Sequence, residues 1–192
     1  MFNNAGVTIN KAFVDSSLAD LHRVMDINLW GVLHGCHFFL PALRRQPEAH
    51  IINTSSMAAF VGMPNQATYS SSKAAVRMIS ESLSAELAPY NIGVTCLHPG
   101  TISTNILKTA ASHSGGNQAV TERMSSLMQR FGMPPERLAA KTLRAVRRKR
   151  LFVRIGIGAY FLDWLRRMTP SGVVAIFRLA FAIRHRRDAT RG

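Results

Sequence analysis

The sequence predicts an α/β fold in which a parallel sheet is wound with helices on both faces. Two observations carry that expectation. Short apolar runs at 50–55 and 93–97 each end in small polar or turn residues, as buried parallel strands do. Longer stretches with apolar residues at helical spacing, over 20–40 and 67–88, alternate with those strands. With 192 residues, 47% of them hydrophobic, the chain is long enough for one domain with its own core.

Each element follows in order. A strand stub leads into Asn3-Asn4-Ala5-Gly6, a polar turn ending in glycine. A helix opens over 15–22, with Asp15 or Ser16 expected as its N-cap. Its stripe of Leu21, Val24, Met25, Leu29, Val32 and Leu33 includes one amide, Asn28, and is expected to run to Leu40, where Pro41 disturbs it. Strand 50–55 ends at Ser55 and Ser56, the end of a parallel strand where open α/β sheets bind ligands. A loop with Gly62, Pro64 and Asn65 leads into helix 67–88, then strand 93–97 and the turn His98-Pro99-Gly100. Residues 104–132 are Ser/Gly-punctuated around an amphipathic piece at Met124, Leu127, Met128 and Phe131. Pro134-Pro135 starts a helix expected to carry Leu138, Leu143 and Val146 inward, before a last strand at 151–155. Two amphipathic stretches close the chain: Tyr160, Phe161, Trp164, Leu165 and Met168 share one face, and Val173, Ile176, Phe177 and Ala180 another.

Chemistry concentrates at Tyr69 and Lys73, four residues apart and therefore on one helix face. A phenol is a poor base at neutral pH, because it titrates near ~10. An ammonium held beside it favours the phenolate and is expected to lower that value.

In register with this pair stand Asn3 to Gly6, Asn28, Ser56 thirteen residues before Tyr69, and Pro99, Gly100, Ile102 and Thr104 after the second strand. Together these residues resemble the short-chain dehydrogenase/reductase family, in its single-domain branch, tightly over 1–105 and loosely over 106–160. The resemblance implies a Rossmann-like doubly wound sheet, an NAD or NADP cofactor, and reversible hydride transfer between a carbonyl and an alcohol. It implies Tyr69 as general acid/base, Lys73 lowering the Tyr69 pKa and binding the nicotinamide ribose, and Ser56 holding the substrate oxygen. Asn28 would hold a water that relays protons to Lys73. Asn4, Ala5 and Gly6 would lie against the adenosine side of the cofactor. Pro99, Gly100 and the Ile102 backbone would meet its carboxamide, with Thr104 nearby. Residues 105–133 take the position of a substrate loop, and their Met and Phe content suggests an apolar substrate. Ser55 is read as a neighbour of the site, and His98 as structural.

The family's opening strands and glycine-rich pyrophosphate turn have no counterpart here, since Gly115-Gly116 falls after the Pro-Gly turn. At ~30 residues per βαβ unit, roughly 80 residues of that fold are missing. The expectation is an N-terminally truncated member, with residues 1–158 forming the sheet domain and 159–192 a basic amphipathic helical tail.

Charge divides the chain. The net charge is +14, and residues 141–192 hold fourteen Lys/Arg against Asp163 and Asp188, leaving +2 for residues 1–140. The tail is read either as a helical lid with its arginines in water or as a helix lying on an anionic membrane surface. Nucleic acid is disfavoured, because the basic residues alternate with large apolar ones. Cys36 and Cys96 show no metal spacing and read as buried reduced thiols. With no signal peptide apparent, a cytoplasmic setting is expected, peripheral at a membrane if the tail binds one. By resemblance, pairing of the two long helices implies a homo-oligomer. A different class of function remains open beside the enzyme: a non-catalytic fragment acting as a membrane-surface or interaction module.

Overall fold

The computed structural model describes residues 1–102, 126 and 132–189. Four parallel strands stand side by side in chain order: β1 (Phe2–Asn3), β2 (Ala49–Thr54), β3 (Ile92–Pro99) and β4 (Phe152–Ile155). The register sets Ile52 between Phe2 and Thr95, and Leu97 between Thr54 and Val153. Helix α1 (Leu18–Met25) continues through a π-helical segment, Asp26–Trp30, into α2 (Gly31–Leu43). Then come α3 (Ala67–Glu86), α4 (Pro135–Arg147), α5 (Ile157–Met168) and α6 (Pro170–Ala189).

The core is split by the sheet. On one face α2 and α3 enclose Val32, Cys36, Ile51, Val76, Leu87, Ile92 and Val94. On the other, Leu97, Ile102 and Ile155 meet Met133 and Leu138 beside α4. A third cluster, Phe60, Val61, Leu162 and Val173, ties the loop after β2 to α5 and α6. Helices on both faces of a parallel sheet make this the doubly wound class expected from the sequence.

Side chains alternate along a strand, so Asn53 faces the same interior as Ile51. A buried amide costs stability unless it is hydrogen-bonded, and Asn53 has partners on both sides. Its Oδ1 accepts from Asn3 Nδ2 at 2.8 Å, and its Nδ2 donates to Ser80 Oγ at 3.0 Å. Gly35 lets α2 pass close to this chain, since a Cβ there would stand 2.3 Å from Asn3 Oδ1.

Several boundaries differ from expectation for local reasons. The first helix is capped by Ser17, not by Asp15 or Ser16: Ser17 Oγ accepts from Asp20 N while Asp20 accepts from Ser17 N, a reciprocal capping box. Pro41 does not stop the helix, which runs on to Leu43. So near the end, the missing N–H removes one of the last bonds of the ladder and little else follows. In α4, Thr142 and Ala145 turn inward while Leu143 is exposed. In α5 the shared apolar face is turned out rather than packed as in the lid reading: Ala159, Leu162 and Asp163 face inward, and Tyr160, Phe161, Trp164 and Met168 face out. Asp163 is held inside by ion pairs with Arg154 and Arg167, so the inner face is chosen by charge pairing as well as by apolarity. Cys36 and Cys96 are buried free thiols.

Candidate active site

The carboxyl ends of β1, β2 and β3 lie along one edge of the sheet, and the predicted residues gather there. Asn4, just beyond β1, accepts from Thr54 Oγ1 at the tip of β2, 3.3 Å away. Lys73 reaches across from α3 and donates to the Thr54 carbonyl at 2.8 Å. Gly6 sits between the two side chains that matter most here: a Cβ on it would be 3.3 Å from Lys73 Nζ and 3.5 Å from Asn28 Oδ1. Only a residue without a side chain leaves that approach open.

Asn28 is fully buried in the middle of the π-helical segment. There Gly31 N–H bonds back to Asp26 O, so the regular helical ladder is interrupted at the amide. Its Oδ1 accepts from Val7 N at 2.8 Å and its Nδ2 donates to Val7 O at 2.9 Å. The same Nδ2 donates to Ser72 Oγ at 3.1 Å, and Ser72 in turn donates to Tyr69 O at 2.8 Å. Asn28 thus clamps the turn after β1 to the helical turn that presents Tyr69 and Lys73.

Ser56 follows β2. Its hydroxyl accepts from Ala58 N at 3.2 Å, capping a short turn, and its side chain draws the Tyr69 pKa downward. Ser55, behind it, donates to Lys73 O at 2.7 Å and fixes the strand tip to α3.

Electrostatics correct one expectation. Burial holds the Tyr69 phenol above its usual 10, opposed by the Ser56 side chain. Lys73 lies 6.0 Å from the ring centroid and does not reverse that direction. Burial also pushes Lys73 down to about 8, which still leaves it mostly an ammonium at neutral pH.

The residues after β3 behave differently from the rest. Gly100 is crowded by the fold itself, with a would-be Cβ 3.1 Å from Ile155 O, and its N–H donates to that carbonyl at 2.8 Å. Ile102 buries its side chain in the core and bridges Met133 through a bond from Met133 N to Thr101 O. Thr104 and nearly all of the 105–133 loop lie outside the described residues.

Sequence reasoning missed Thr54, Ser72 and the Val7 backbone as anchors, since a carbonyl or a mid-helix serine carries no pattern of its own. The reading of His98 as structural agrees with its place: it is fully buried between Phe60 and Phe152, and its Nδ1 lies 3.2 Å from Ser56 O.

A family model described as short chain dehydrogenase matches residues 1–115, more than half of the chain. The chain belongs to the short-chain dehydrogenase/reductase family. SadH of Mycobacterium tuberculosis, which carries an oxidoreductase name, is 32% identical over 174 residues, spanning 89% of this chain and 62% of SadH. Dehydrogenase/reductase SDR family member 7B of Xenopus tropicalis is 32% identical, over 89% of this chain and 54% of its own length. The chain therefore spans between half and two-thirds of these two relatives. Among solved structures, a short-chain dehydrogenase/reductase from Burkholderia phymatum in complex with NAD superposes with a TM-score of 0.78 at 28% identity, over 88% of this chain and 65% of that one.

The edge fits one half of a nicotinamide dinucleotide. Lys73 is buried with three N–H donors, and Thr54 O is its one hydrogen-bond acceptor among the described residues. The remaining donors, beside Gly6 and Tyr69, suit ribose hydroxyls. A glycine-rich pyrophosphate cradle is not among the described residues.

Proposed function

We propose that this chain carries the reacting half of an NAD- or NADP-dependent oxidoreductase that interconverts a carbonyl and an alcohol. The observation that carries the reading is the convergence of Tyr69, Ser56 and Lys73 on one strand edge, locked there by Asn28. When bound, the nicotinamide supplies or takes the hydride. Ser56 donates a hydrogen bond to the substrate oxygen and stabilises the charge that develops on it. Tyr69 gives that oxygen its proton in reduction and removes it in oxidation. A phenol held above its usual value suits the first direction at neutral pH. Lys73 holds the ribose, and its charge stabilises the phenolate left after proton transfer. Asn28 keeps Gly6 against Lys73, and a water between the amide and the ammonium would carry protons onward. Asn4, Ala5, Pro99, Gly100, Ile102 and Thr104 complete the cofactor wall in this reading, and an apolar carbonyl compound suits the 105–133 loop.

Titrating the chain with NADH and NADPH, then assaying a carbonyl panel, tests this. Tyr69→Phe is expected to lower turnover by about 10²–10⁴-fold while leaving cofactor affinity within a few-fold. Turnover unaffected by that change would overturn the assignment.

A second reading, the non-catalytic module at an anionic membrane surface, is favoured by the outward apolar face of α5 and the basic charge of residues 141–192. Membrane contact alone is compatible with the enzyme; the absence of catalysis is what separates the second reading from the first, and the Tyr69→Phe assay decides between them. No described helix is long and apolar enough to cross one. A homo-oligomer is part of the proposal, supported by Leu18, Trp30, Phe38, Phe39 and Met78, which α1, the π segment, α2 and α3 leave exposed.

A further inference from the structure

Helix α5 is amphipathic in the wrong sense for a lid. Its large apolar residues fall at positions 157, 160, 161, 164 and 168, a spacing that puts them on one face. That face is turned to solvent: Ile157 is 89% exposed, Trp164 57% and Met168 63%. The small inner face is already satisfied by Ala159, Leu162 and the Asp163 ion pairs, so rotation to bury the aromatics would strand a carboxylate. Helix α6 also leaves large apolar residues exposed, Val174, Ile176, Leu179, Phe181 and Ile183, though not on one face. Exposed arginines flank these residues at Arg178 and Arg186 on α6, while on α5 Arg166 donates to Pro170 O and Arg167 pairs with Asp163. A large apolar stripe between cations is complementary to a surface that is apolar beneath an anionic layer, not to an acidic protein face alone. The stripe also sits beside β4, three strands away from β1 and from any chain that would join the sheet at β1.

We infer that α5, with the adjoining half of α6, is an interfacial anchor that lies in the headgroup layer of an anionic bilayer, with Tyr160, Phe161, Trp164 and Met168 inserted and the arginines on lipid phosphates. The inference rests on the membrane-surface reading above and names the element and the side chains that enter.

The chain has two tryptophans, so Trp30→Phe leaves Trp164 as a single reporter. This variant is mixed with phosphatidylcholine vesicles, with and without phosphatidylserine, some carrying brominated acyl chains. Expected are binding that needs phosphatidylserine and weakens with salt, a blue shift of Trp164, and bromine quenching. Phe161→Ser with Met168→Ser, both at exposed positions, is expected to weaken vesicle binding at least tenfold with an unchanged circular dichroism spectrum. Absence of all vesicle binding overturns the membrane-surface reading itself. Binding without Trp164 quenching, or unchanged in the double variant, leaves that reading standing and overturns the anchor. A concentration-dependent Trp164 shift without lipid would assign the stripe to a second copy of the chain and overturn it too.

Discussion

His98 shows how one buried residue makes stability depend on acid pH. Its Nε2 has no hydrogen-bond partner among the described residues, and burial pushes its pKa down to about 4. Arg77 and Arg154 act in the same direction, while the Ser56 carbonyl and Asp163 oppose it. With the folded value near 4 and the unfolded value at 6.5, the unfolded chain binds more protons between them. Stability from this group is therefore fully present above 6.5 and lost as the pH falls to 4, by about 3 kcal/mol in total. Urea unfolding of the wild type and His98→Phe at pH 7 and pH 4.5 is expected to show a smaller acid loss in the variant. Equal losses would mean that His98 does not titrate in this window. Lys73 has the same sign in a more alkaline window. Its folded value of about 8 lies below the ordinary 10.5, so stability rises with pH between those limits. Lys73→Met is expected to gain on the order of 1–3 kcal/mol at pH 7, less at pH 10, while losing cofactor affinity.

At the scale of elements, two joints hold the site edge together. The first is Asn28, whose amide bonds Val7 in both directions and reaches Ser72. Asn28→Leu keeps the volume but strands the Val7 N–H and C=O, and is expected to cost about 2–4 kcal/mol and to loosen cofactor binding. Hydrogen exchange at Val7 measures the joint directly, and protection there unchanged from wild type would refute this account. The second joint is the close crossing of α2 over β1. Gly35→Ala would press a methyl against Asn3 Oδ1 and disturb the bond from Asn3 to Asn53. A loss of about 1–3 kcal/mol is expected in thermal or urea unfolding. How much of this was legible beforehand differs by joint. Asn28 stood out as an amide inside an apolar stripe, and the break in the helix around it followed. The Asn3–Asn53–Ser80 chain did not stand out, because pairing of polar groups from three elements has no signature along any one of them.

For the whole molecule, apolar surface is the open account. Helices α1–α2 leave Leu18, Trp30, Phe38 and Phe39 exposed, and α5–α6 leave a second set at the other end of the sheet. Patches of this kind mark interfaces. A dimer through α1–α2 and α3 is expected by light scattering, and Phe38→Asp with Phe39→Asp should shift it to monomer without altering vesicle binding. If the double variant instead abolishes vesicle binding and leaves the dimer intact, the two surfaces have been assigned the wrong way round.

By itself the sequence determined the α/β class and the order of strands and helices, because periodicity and spacing are properties of neighbours along the chain. The family followed from the same spacing. Tertiary structure alone decided which way α5 turns, since its inner face is selected by Arg154, which comes from β4. It also decided the protonation tendencies of Tyr69 and Lys73. The sequence shows that a cation stands four residues from a phenol, but desolvation depends on everything packed around the pair, and here it is the largest influence on both.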